Sequence, residues 1–152
     1  MINVVIISSD ETVQHLLAEQ DDMHISVVAP TSLDETVESV RLCSPNIIVM
    51  EQDMEHINVD ILCHFLSNSC PDAQNLILTE HPPTLEMLQN SGFKARGYLS
   101  PEQKPLIGKA VRVIHDGEAW LPRKLVAEML THFSSSHSEM FAQDLLKLRV
   151  IK

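Results

Sequence analysis

A three-layer α/β domain on a five-stranded parallel sheet is what the sequence predicts, and three observations carry it. Short apolar runs alternate with amphipathic stretches at the spacing of βαβ units. The runs lack the apolar–polar alternation of a sheet with one wet face, so helices must cover both faces. At 152 residues the chain suits one well-packed domain and is short for two.

The first strand is Ile2 to Ile7, closed by Ser8-Ser9-Asp10. Ser9 or Asp10 caps a helix from Glu11 to about Gln20 with Val13, Leu16 and Leu17 inward. Asp21-Asp22 breaks it, and His24 to Ala29 is the second strand, stopped by Pro30. Ser32 and Glu35 form a capping box for a helix burying Leu33, Val37, Val40 and Leu42, which Pro45 ends. Asn46 to Glu51 is the central strand, four large apolar residues finishing in one acid. A helix over about 58–68 presents Ile61, Leu62, Phe65 and Leu66 to the core, and Asn75 to Thr79 is the fourth strand. Thr84 to Asn90 is a short helix, and Ala95 to Leu99 is the fifth strand. Ser100, Pro101 and Gln103 then supply cap, first-turn proline and capping glutamine for a helix to about Asp116.

Two more amphipathic stretches depart from that rhythm. Leu121 to Phe133 predicts a sixth helix with Leu125, Val126, Met129 and Leu130 on one face. After Ser134-Ser135-Ser136, a capping box of Ser136 and Glu139 opens a last helix with Phe141, Leu145 and Leu148 in register. The expected organisation is a domain over 1–133 and a linker and helix over 134–152, with no DNA-binding module among these residues.

Composition narrows the function classes. Twenty-one acidic against 11 basic residues give a net charge of −10, which repels phosphate backbones and argues against direct nucleic-acid binding. No apolar run reaches the roughly 18–20 residues that span a bilayer. No basic segment precedes the first apolar run as in a signal peptide. Cys43, Cys63 and Cys70 lack CxxC spacing and fit reduced thiols, so the expected location is the cytoplasm. His56, Cys63, His64 and Cys70 match no zinc spacing. Asp10, Glu51, Asp53 and Glu80 read as an acidic loop face, and no metal is expected.

The order of the units, with ARGYL (95–99), AVRVI (110–114) and GEAWLP (117–122), resembles the receiver domains of NarL/LuxR-type response regulators over about residues 2–133. The resemblance implies the flavodoxin/CheY-like strand order 2-1-3-4-5. It also implies a phosphorelay site at the strand tips: Mg²⁺-holding acids after the first strand and an aspartate after the third. A hydroxyl residue follows the fourth strand and a lysine the fifth. Here Ser8 and Ser9 replace the acids, and Glu51, one methylene longer, stands at the acceptor position. Thr79 is retained, Glu80 replaces a small residue, and Ser100-Pro101 stands where the lysine belongs. Tyr98 matches the family's switch aromatic.

These departures predict an atypical, phosphorylation-deficient receiver, not an enzyme, with Mg²⁺ unlikely to bind. It would act in transcription regulation by dimerising or binding a protein through residues 84–116 or the C-terminal helices. DNA would be reached through a domain outside this sequence. Trp120-Leu121-Pro122-Arg123 is also similar to the W-[FLM]-[ST]-R motif of CsgD-like regulators, which implies cyclic-di-GMP at Trp120 and Arg123 as an alternative. Pro122 departs from that motif.

Overall fold

The structure, a computed structural model, describes residues 1–135 and divides the chain into two units, Met1–Leu121 and Pro122–Lys152. The sixth helix, expected within the first domain, falls in the second unit. The final amphipathic stretch expected from Ser136 lies outside the described residues.

The first unit holds five strands: β1 (Ile2–Ile7), β2 (Met23–Val27), β3 (Ile47–Glu51), β4 (Gln74–Leu78) and β5 (Ala95–Leu99). All pair in parallel in the order β2-β1-β3-β4-β5. Between them run α1 (Glu11–Ala18), α2 (Leu33–Leu42), α3 (Val59–Ser69) and α4 (Leu85–Asn90), with α5 (Ile107–His115) after β5. The fold class and strand order are as expected.

Because side chains alternate across a strand, β1, β3, β4 and β5 feed two cores. Val4, Ile6, Ile47, Val49, Leu76 and Leu99 pack with Val13 and Leu17 of α1 and Ile107, Val111 and Ile114 of α5. The opposite face carries Val5, Ile48, Met50, Ile77 and Tyr98, buried with Val40, Leu62, Cys63, Leu66 and Leu88 of the other three helices. Arg112 of α5 ties that helix to the α1–β2 turn, its Nε and Nη2 donating to the Asp22 carboxylate at 2.8 and 2.9 Å.

Two helices bury different faces from those expected. Leu42 is 69% exposed, and Thr36 is buried beside Val40 instead. On α3 the buried row is Val59, Leu62, Cys63 and Leu66, leaving Ile61 and Phe65 nearly half exposed. The cause is geometric. Residues i, i+3, i+4 and i+7 share a stripe, and Val59 and Cys63 complete one that Ile61 and Phe65 do not. Cys63 reads as polar in a pattern count but packs as a small apolar residue, its thiol 3.7 Å from the sulfur of Met50.

The expected helix after β5 starts differently. Pro101–Leu106 forms a 3₁₀ segment, and regular α-helix begins only at Ile107. Pro105 is the reason, since it has no N–H to donate and its ring crowds the preceding turn. Asp10, Ser32, Asn58 and Thr84 cap their helices through side-chain oxygens. In the second unit a helix, α6, occupies residues 123–135, two residues later than expected at its start.

Candidate functional site

Parallel strands bring the loops after β1, β3, β4 and β5 to one edge of the sheet, the place where α/β folds of this kind keep their sites. A cavity of about 100 Å³ opens there, lined by Asp10, Glu51, Asp53, Thr79, Glu80 and Lys104 over an apolar floor of Leu78 and Leu99. Ser9 lines a neighbouring cavity of about 440 Å³ that shares Glu51 and Asp53.

Ser8 is 3% exposed and organises the β1 side. Its hydroxyl donates to Glu51 Oε1 at 3.0 Å and accepts from the Asp10 backbone N–H at 3.0 Å. Glu51 is half-buried at the tip of β3. Its side-chain hydrogen bond comes from Ser8. Thr79 turns away, its hydroxyl donating to the His81 carbonyl at 2.8 Å while the His81 N–H donates back at 3.3 Å. Glu80 is exposed on the rim. Ser100 is half-buried just beyond β5, with its backbone N–H donating to Gln103 Oε1 at 3.3 Å.

The reading that no lysine serves this site is corrected by the structure. Lys104 enters the cavity and donates from Nζ to Asp10 Oδ2 at 2.7 Å, both side chains less than one-third exposed. The expectation failed because it looked directly after Tyr98-Leu99. The two prolines flanking Lys104, Pro101 and Pro105, were the available signal: they forbid an immediate α-helix and leave a tight segment that can turn a lysine back over the strand tips. Asp10, one of the two caps expected for α1, is the one that caps it, its other oxygen accepting from the Thr12 N–H at 2.9 Å.

The two charges reinforce one another. The Lys104 hydrogen bond holds the Asp10 carboxyl below the usual aspartate range against the opposing effect of burial. The Asp10 bond, with the fields of Glu80 and Glu51, holds the Lys104 ammonium above its own. Among the described residues no three His, Cys, Asp or Glu side chains converge so as to hold a metal ion.

Tyr98 is 2% exposed on the far side of the sheet, and among the described residues its hydroxyl has no hydrogen-bond partner. Burial, with lesser contributions from Cys63 and Asp60, pushes its acidity well below that of a free phenol; only the nearby Ser91 hydroxyl pulls the other way. That hydroxyl gives its own proton to the Leu88 carbonyl at 2.7 Å.

Trp120 pairs by its backbone with the outer edge of β5. The Tyr98 N–H donates to its carbonyl at 3.0 Å, and its own N–H donates to the Arg96 carbonyl at 3.1 Å. Its side chain packs against the first core, and Gly97 allows that approach. A Cβ on Gly97 would stand 3.0 Å from Trp120 Cβ and 2.9 Å from Ile114 Cδ1. Arg123 is exposed at the start of α6, in the second unit. Packing thus accounts for Trp120 within the first unit.

No family model matches this chain, and no curated protein sequence does. Solved structures do match. The fold is that of a response-regulator receiver. A LuxR-family two-component response regulator from an Aurantimonas species superposes with a TM-score of 0.69 at 16% identity, covering 87% of this chain and 96% of that one. The isolated apo receiver domain of RcsB from Salmonella enterica serovar Typhimurium gives 0.70 at 13% identity, covering 86% and 99%. The response-regulator domain of Thermotoga maritima CheB gives 0.64 at 16% identity, covering 76% and 97%. At these identities the likeness concerns the fold.

Proposed function

We propose that this receiver-like domain is a two-component-type signalling regulator that works without phosphoryl transfer, through dimerisation or contact with a protein partner, in the control of transcription. One observation carries the reading. The acid nearest to where Mg²⁺ is held in a working receiver, Asp10, is bonded to Lys104, and the Ser8 hydroxyl is given to Glu51. Phosphoryl transfer rests on positioning and on a cation that offsets the developing charge. Glu51 has a longer arm than aspartate, and it faces Asp53 and Glu80 across the cavity. Negative charge there opposes the approach of a phosphoryl donor. The surfaces offered to a partner are residues 84–116 and the residues from 121 onward, and the net charge of −10 argues against direct DNA binding by this chain.

Incubation with acetyl phosphate and Mg²⁺, followed by intact mass spectrometry, tests this. The expected spectrum is unchanged. A stoichiometric adduct of about 80 Da, the mass of one phosphoryl group, lost in the Glu51→Gln variant, overturns it.

A further inference from the structure

We propose that Lys104 is a tethered counter-ion, its ammonium filling from within the chain the place that a free cation would otherwise take among Asp10, Glu51 and Glu80. The proposal rests on the phosphorylation-independent reading above and says how the site is kept closed.

Four carboxylates line the cavity, those of Asp10, Glu51, Asp53 and Glu80, against one cationic side chain. Such a cluster in a partly enclosed space repels itself and needs positive charge nearby. Lys104 supplies it at 2.7 Å from Asp10, across 94 residues of sequence, with both side chains largely withdrawn from water. Glu51 and Glu80 act on the same ammonium through their fields. The acids do not converge in threes as metal ligands do. Asp10 bonds the amine directly, and Glu51 and Glu80 line the same cavity.

The backbone is arranged for this. Pro101 and Pro105 restrict the 3₁₀ segment that carries Lys104, so less freedom is lost when its side chain is held. On the other side Asp10 is fixed twice, by the Thr12 N–H at its carboxylate and by Ser8 at its backbone. Ser8 extends the chain of bonds to Glu51. The segment after β5, the cap of α1 and the tips of β1 and β3 are thereby joined in one chain of bonds that starts at the Lys104 ammonium.

Thermal unfolding of the wild type and of Lys104→Ala, each in NaCl, MgCl₂ and ethylammonium chloride at matched ionic strength, tests the proposal. The wild type is expected to have the same Tm in all three salts. Lys104→Ala is expected to melt about 4 °C lower in NaCl and to recover at least half of that loss in MgCl₂ or ethylammonium. Lys104→Arg, which keeps the charge, should resemble the wild type. A variant indifferent to both cations, or a wild type that gains as much from them as the variant, overturns the proposal. Should Lys104→Ala not fold, Lys104→Gln retains the stem and a hydrogen-bond donor without the charge and serves the same comparison. A phosphoryl adduct on the wild type would remove the functional reading, whereas a cation-indifferent variant removes only the tethered counter-ion.

Discussion

Lys104 and Asp10 set the pH behaviour of the strand-tip site. Asp10 has its carboxyl lowered in the folded chain, so its contribution is complete above the usual aspartate range of about 4. It is lost as pH falls through the lowered folded value. Lys104 is raised, so its contribution holds below the ordinary lysine range and is lost only in strong alkali. Urea unfolding of wild type and Asp10→Asn should therefore differ at pH 7 and converge as pH falls through the lowered Asp10 value; a gap that persists in strong acid would exclude the ion pair as its source. Tyr98 invites the opposite kind of change. A buried hydroxyl without a partner costs about 1–3 kcal/mol, so Tyr98→Phe should leave stability unchanged or raise it by about 1 kcal/mol in urea titrations. A loss above 1 kcal/mol would mean that the hydroxyl does have a structural partner.

At the scale of elements, β5 and the residues after it decide the shape of this end of the sheet. Gly97 stands where Trp120, Ile114 and Leu76 all approach within about 3 Å of a missing Cβ. Gly97→Ala should therefore cost about 1–3 kcal/mol by overpacking, read as a lower urea midpoint with an unchanged slope. The strands were legible in sequence because a parallel strand buried on both faces leaves an uninterrupted apolar run that little else in a short domain imitates. Faces of helices were less so. Ile61 and Phe65 lie one row away from the stripe that Val59 and Cys63 complete, and hydrophobicity alone did not separate them. Lys104 escaped for a related reason: its place depends on a 3₁₀ segment that only the pair Pro101 and Pro105, read together, signals. Ser8 and Glu51 were found together because both follow directly from the ends of strands.

For the whole molecule, a receiver fold is joined to a site in which one side chain does the work of an ion. Likeness to receivers at 12–16% identity fits that combination, since the two cores need only apolar residues of suitable size, while the strand tips are free to change. Trp120 is already engaged, its backbone paired with β5 and its side chain packed on the first core. Titration calorimetry with cyclic-di-GMP is accordingly expected to give no heat at tens of micromolar ligand. Saturable binding abolished by Arg123→Ala would restore the nucleotide as the signal.

The pairing of Trp120 with β5 also bears on how copies of the domain meet. Among the described residues the outer edge of β5 is occupied at Tyr98 and Arg96, leaving β2 as the open edge of the sheet. A foreign strand can then extend the sheet from one side only, and polymerisation by end-to-end strand addition, which needs two free edges, has no second terminus to grow from. The association proposed above through residues 84–116 would then rest on side chains, whose chemistry can be tuned without risk of propagating a fibre.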